Sequence, residues 1–381
     1  MFAKFLLSVG IVFLPLYLGN SGGVQLSHGL IAIACAIVLV TRSNKLRPYD
    51  GVLGFLVFFI FLRESIQIFF FNAPLSGVMP SVYLLFNFLL LIIGHNIIDR
   101  DFSRNYLLPA LILGTIIAVS GVLFTGFNFT VDQEFGRGIG TFNNPNQLGY
   151  FAVCTFSIAV LLYLLGSAGM TILGGLVLCS IFLAIASLSK AAMVGILFST
   201  TLLGYGLIPP GKSRAQFGLL LVALVCVALY LILTSATYRE FSFVVRLLDI
   251  GSDSDDNLIG RGYNLATYMN GFEVAFGLSD FKAKLIRGSE VHSTIGWVFI
   301  NYGILGGGLF LLFLYMWWWK LFKNFGLVSS IIVAGPPMLY GLTHNGIRFT
   351  IFWILIALTF SIKLRSSDYL DRPASFKLAG S

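Results

Sequence analysis

Charge is what this chain has least of. Asp, Glu, Lys and Arg make up 10% of its 381 residues, against roughly 25% in soluble domains. With 57% hydrophobic residues and a mean hydropathy of +0.90, its apolar surface is too large for one aqueous core. That excludes a string of soluble domains and leaves a polytopic membrane protein. Acidic residues are scarcer still, 16 against 24 basic ones. The net charge of +8 does not point to nucleic acid, because the basic residues sit mostly in short loops, where they set topology. Cysteine is rare as well: Cys35, Cys154, Cys179 and Cys226 all lie inside apolar runs. They read as small buried hydrophobes, which excludes a disulfide framework or a cysteine metal site. No P-loop, G-x-S-x-G or H-E-x-x-H is present, so soluble nucleotide and hydrolase chemistries have no anchor. Asp253, Asp255 and Asp256 suggest an EF-hand, but Leu258 and Asn264 stand where its glycine and glutamate belong. They are a solvated acidic turn, and no metal or other cofactor is expected.

What the chain has is apolar runs. Taking about 20 residues per crossing gives about twelve spans, at 3–19, 24–41, 50–71, 78–98, 105–125, 146–166, 169–188, 190–208, 216–236, 292–319, 326–343 and 346–364. The run after Lys4 has no small-x-small cleavage site and is kept as a helix. Arg42, Lys45, Arg47, Arg100, Arg104, Lys212, Arg214, Lys320, Lys323 and the tail after Lys363 fall on one side. The opposite short loops at 20–23 and 72–77 carry no charge. Both termini are therefore expected in the cytoplasm. The chain divides into nine spans (1–236), a long outer loop forming a cap (237–291), three further spans (292–364) and a cytoplasmic tail (365–381).

The long loop has structure of its own. Phe241, Val244, Val245 and Leu248 form an apolar stripe with Arg239 and Arg246 off it, as in an interfacial helix. Residues 251–257 are a turn-forming break. From Arg261, the positions Tyr263, Ala266, Met269, Asn270 and Glu273 predict one helix ending near Gly277. Pro336–Pro337 is expected to kink or break the eleventh span, and Gly303 with Gly306–Gly308 to allow close helix approach. Arg63 and Glu64 lie in the outer part of the third span as a structural or a functional pair.

This topology gathers Arg137, Lys190, Arg261 and His292 on the outer side, with Glu290 and His344 nearby. Cations at headgroup depth suit a lipid phosphate or diphosphate, which guanidinium binds in a fork. A histidine titrating near neutrality accepts a proton from a hydroxyl nucleophile. The outer face has no ATP, so the bond energy must arrive in the substrate. A polyprenyl-diphosphate sugar meets these demands. Each residue also has a plainer use: Lys190 as a headgroup anchor, Arg137 as a surface partner of Asp132 or Glu134, Arg261 as a helix cap, His292 as an interface marker.

Four segments resemble the bacterial O-antigen ligase and O-antigen polymerase superfamily. They are Gly138–Gly149, containing Thr141-Phe142-Asn143-Asn144-Pro145-Asn146; Leu188-Ser189-Lys190-Ala191-Ala192; Gly260-Arg261-Gly262-Tyr263 with the following helix; and Glu290-Val291-His292-Ser293 followed by Tyr302–Gly306. Their order and spacing agree over residues 130–310. Lys190 replaces the usual arginine, and Ser293 a common asparagine. The resemblance implies a GT-C-like all-helical membrane glycosyltransferase with a small helical periplasmic cap, multi-pass in the bacterial inner membrane, with its active site on the periplasmic face. Its implied donor is an undecaprenyl-diphosphate-linked glycan, and its acceptor a glycan or the lipid A core. Membrane lipids and other polysaccharide-assembly proteins are its implied partners, with no nucleic acid. His292 would be the base, and Arg261 and Lys190 would bind the diphosphate. Arg137, Asn146, Arg246, Glu290 and His344 would bind substrate around them. The competing expectation is a transporter or flippase of a lipid-linked or anionic solute. A transporter should place charge near the bilayer midplane, and Arg63–Glu64 and Pro336–Pro337 are what favour it.

Overall fold

The computed structural model describes residues 1–19, 23–42, 44–127, 136–208, 262–288 and 290–362, with 211, 213, 214, 216–220, 223, 227, 230, 234, 241, 242, 244 and 245. The expected span at 216–236 and the tail lie largely outside these residues, as does half of the expected interfacial helix at 241–248. The described chain is helical, in the order α1 (Phe2–Val12), α2 (Leu26–Thr41), α3 (Pro48–Phe71), α4 (Met79–Ile97), α5 (Arg100–Thr125), α6 (Pro145–Leu164), α7 (Met170–Ser187), α8 (Lys190–Leu207), α9 (Gly271–Phe276), α10 (Asp280–Arg287), α11 (Thr294–Thr343) and α12 (Thr350–Ser361). Among the described residues seven helices, α3 to α8 and α11, are long and apolar enough to cross a membrane. Helices α1, α2 and α12 are apolar but shorter.

Helices α6 and α12 form the centre. Every α12 residue from Thr350 to Phe360 is buried, as is most of α6. A helix apolar all round belongs inside a bundle, and α12 has that composition. Side-chain contacts between helix ends then define two faces. On one, Lys4 pairs with Asp99 at 2.8 Å and Arg47 reaches the Phe360 carbonyl at 2.7 Å. On the other, Thr141 Oγ1 donates to the Pro15 carbonyl at 2.6 Å and Tyr340 Oη to the Asn146 carbonyl at 2.6 Å.

Helix α11 is not one rod. Fifty residues would span about 75 Å if straight, yet the Thr294 N–H donates to the His344 carbonyl at 3.1 Å. The element therefore folds back on itself. The backbone leaves helical φ/ψ at Gly303 (φ 64°, ψ −165°) and Gly326 (φ 79°, ψ 176°). Those values divide it into rods 294–302, 304–325 and 327–343, and the reversal at Gly326 separates the two spans expected here. Pro336–Pro337 does not make the break: the chain stays helical through both residues. Proline accepts helical φ, whereas only glycine takes the conformations at 303 and 326 without strain. The glycine run after the break has a local use. A Cβ on Gly306 or Gly307 would strike Tyr302 or Phe299, so the space is filled by the preceding rod of the same element.

The cap is built differently from the single helix expected after Arg261. A 3-10 turn, Tyr263–Tyr268, ends at Met269, and α9 starts afresh. The reason is a capping box: Asn270 Oδ1 accepts from the Glu273 N–H at 3.1 Å, and Glu273 Oε2 from the Asn270 N–H at 3.1 Å. Gly277 does end α9, at φ 79°. A further helix, α10, follows beyond the one expected. Its N-cap Ser279 accepts from the Lys282 N–H at 3.2 Å.

Candidate functional site on one face of the bundle

The segment 138–149 is first of all a stop that turns the chain into α6. Asn144 Oδ1 caps the Gln147 N–H at 2.9 Å, Pro145 occupies the first helical turn, and Gln147 Oε1 accepts from the Asn143 N–H at 3.0 Å. Asn143 Nδ2 ties the segment to the Gly19 carbonyl at 2.7 Å. Asn146 Oδ1 accepts from Arg137 Nη2 at 2.8 Å.

Arg137 also closes α7. Its Nε donates to the Ser187 carbonyl at 2.9 Å, while the Gly138 N–H takes the Ala186 carbonyl at 2.8 Å. A cation on the last carbonyls of a helix is favourable. Leu188, at φ 50°, then turns the chain, and Lys190 opens α8 three residues after Ser187, half-buried. Arg137, Asn146 and Lys190 are thus brought together. The expected surface partners of Arg137, Asp132 and Glu134, lie outside the described residues.

The histidines lie on the same face. Tyr340, whose hydroxyl holds the Asn146 carbonyl, stacks on His344 with ring centroids 4.5 Å apart. Thr294 binds the His344 carbonyl through both its N–H (3.1 Å) and its Oγ1 (2.9 Å). Ser293 caps α11 by accepting from the Gly296 N–H at 3.0 Å and shares a 2.6 Å hydrogen bond with Tyr263 Oη. His292, just outside that cap, is exposed. Arg137, Asn146, Tyr340, His344 and Thr294 therefore form one continuous line across helix ends, with His292 two residues before Thr294 in the chain. Arg261 and Arg246 lie outside the described residues. Gly262 packs against Val291, the residue before His292.

Glu290 is held by charge. Arg348 chelates its carboxylate with both Nη atoms, Lys284 Nζ lies 3.0 Å away, and Arg287 donates to its backbone carbonyl. Burial pushes the Glu290 carboxyl up, but Arg348 and Lys284 hold it below the usual carboxylate range. Burial pulls the Lys284 ammonium down, but Asp280 and Glu290 raise it above the usual lysine value.

Sequence reasoning gave Arg348 no role. It also missed Tyr340 and Thr294, and the buried set in which Asp280 Oδ1 accepts from Trp297 Nε1 (3.0 Å) and Asn301 Nδ2 (3.2 Å). Trp297 and Asn301, one helical turn apart, were a signal that one partner would face both. No group of three or more His, Cys, Asp or Glu side chains suited to a metal occurs among the described residues. Comparison with family models and with curated protein sequences finds no match to this chain.

Proposed function

We propose that the protein is a membrane glycosyltransferase of the O-antigen ligase and polymerase type, with about twelve spans and a periplasmic cap, working on the outer face of a bacterial inner membrane. A hydroxyl of the acceptor glycan attacks the anomeric carbon of an undecaprenyl-diphosphate-linked glycan. His292 takes the hydroxyl proton as the new glycosidic bond forms. The bond to undecaprenyl diphosphate breaks, and Lys190 and Arg261, assisted by Arg137, meet the charge that develops on the leaving group. The observation that carries this reading is the line of contacts joining Arg137, Asn146 and the Lys190 turn to Tyr340, His344 and the His292 turn.

The transporter reading has less support. Arg63 and Glu64 are buried, with the Arg63 guanidinium and Glu64 Oε1 on backbone groups of the cap, and the Ile300 and Asn301 carbonyls before the Gly303 break accept from Leu278 and Ser279. None of these is open to a passing solute.

The test is single-turnover transfer with purified protein and lipid-linked donor from pH 5.5 to 8.5. His292→Ala lowers the rate by about 10²–10⁴-fold while donor binding persists, and His344→Ala is milder. Wild-type rates from His292→Ala across that range would refute the mechanism.

A further inference from the structure

Arg63 and Glu64 lie in the outer part of α3 and are buried, Glu64 at 0% exposure. Charge held at that depth is expensive and calls for a reason. Successive residues on a helix do not face each other, and here each is matched to its own partner in the cap. Arg63 Nη2 donates to the Gly277 carbonyl at 2.9 Å and Nε to the Phe276 carbonyl at 3.4 Å, where α9 ends. Glu64 Oε1 accepts from the Asp280 N–H at 3.0 Å, where α10 begins. The signs are those the helix ends favour, cation on carbonyls and anion on N–H.

Between these two contacts the cap is laced to α11. The Leu278 N–H donates to the Ile300 carbonyl at 2.8 Å and the Ser279 N–H to the Asn301 carbonyl at 2.9 Å, just before the Gly303 break. The backbones at Gly277 and Gly303 approach so closely that neither position has room for a Cβ. Ser279 is held at φ 76°, a conformation that a non-glycine residue adopts only when its surroundings enforce it. The first rod of α11 is therefore fixed from the side by the cap, and the cap in turn by α3. That rod starts at Thr294, two residues after His292.

We propose that Arg63 and Glu64 are positioning residues: they lock the cap to the first rod of α11 and so fix where His292 meets its substrate. This rests on the reading of His292 as the base. It differs from a simple ion pair inside the bundle, which exchanging the two charges would preserve.

The experiment uses full-length protein in lipid nanodiscs. Hydrogen exchange of the 277–284 backbone is measured beside kcat and donor KM. Arg63→Ala and Glu64→Ala are expected to speed that exchange by about tenfold or more. They are expected to lower kcat by about 10²-fold, the scale of a misplacement near 1 Å, with donor KM unchanged. Glu64→Gln keeps the acceptor oxygen and restores both. The double variant Arg63→Glu/Glu64→Arg puts each charge on the wrong helix end and does not. If an alanine variant fails to assemble, Arg63→Lys gives the same two readouts at partial amplitude. Unchanged exchange, rapid exchange with wild-type kcat, or rescue by the charge exchange would each overturn the proposal. If wild-type protein shows no transfer, the catalytic reading falls and the positioning role with it. Faster exchange in the variants would then show only that α3 anchors the cap.

Discussion

Glu290, expected among the substrate-binding residues around His292, has its carboxylate at the meeting point of Arg348 and Lys284, which ties the cap to the loop between α11 and α12. The consequence for pH follows from the direction of the shift. The folded pKa of Glu290 is depressed, so its contribution is present above the unfolded value, about 4.3, and is lost as pH falls through the folded value. Lys284 is raised, so its contribution is present below the unfolded lysine value and fades only as pH rises through the folded one. The melting temperature of the purified protein should therefore fall as pH is lowered from 5 to 3, and fall less steeply in Glu290→Gln. Equal slopes would show that the cluster adds nothing to stability. At Lys190 the expectation concerns activity. Lys190→Arg should retain transfer, since a guanidinium keeps the charge and adds a fork for phosphate oxygens, whereas Lys190→Ala should lose most of it.

The elements that could be read in advance are those with a long apolar period: helices α3 to α8 lie within a few residues of the spans laid out from hydropathy. What could not be read is where backbone geometry, rather than composition, decides. Pro336–Pro337 carries the stronger sequence signal for a break, yet the breaks fall at Gly303 and Gly326. A glycine inside an apolar run looks the same whether it packs in a helix or leaves it. The cap after Arg261 has the period of one helix, but the Asn270–Glu273 capping box restarts it. That box was legible as Asn-x-x-Glu and was outweighed by the longer pattern. The Gly303 break makes a sharp expectation. Gly303→Ala forces a side chain into φ 64°, ψ −165° and against the Ala275 backbone. The strain alone is about 1–3 kcal/mol, so thermal unfolding should shift down clearly. Gly308→Ala, with open space around its Cβ position, should leave it nearly unchanged. Equal melting temperatures for the two variants would mean that the break is not an obligatory feature of the fold.

At the scale of the whole molecule, the alternation of apolar runs brought distant segments to one face before any contact was known. It put residues 137–146, 187–190, 290–293 and 343–346 on that face because an even number of crossings separates them. The hydrogen bonds joining these segments, Arg137 to Ser187, Tyr340 to Asn146 and Thr294 to His344, connect positions up to 194 residues apart that hydropathy alone could not pair. Which face lies outside is a matter of charge rather than of alternation. Charges on the two faces are handled differently. On the cap side, Lys282, Lys284 and Arg348 meet Glu273, Asp280 and Glu290 in ion pairs. On the opposite side, Arg42, Lys45, Lys320 and Lys323 stand in or beside short connections, with Lys4–Asp99 the one ion pair of opposite charges between Lys or Arg and an acid there among the described residues. If basic connections are retained in the cytoplasm, the cap and the His292 turn are expected outside. Single cysteines at Tyr268, exposed on the cap, and at Ser213, exposed beyond α8, test this in a background with the four native cysteines replaced. A membrane-impermeant maleimide added to intact cells, after the outer membrane is made permeable, should label position 268 and spare position 213. Position 213 should become reactive once the inner membrane is lysed. Labelling at 213 with protection at 268 would invert the molecule, put the histidines on the face that has ATP, and remove the physical reason for a lipid-diphosphate donor.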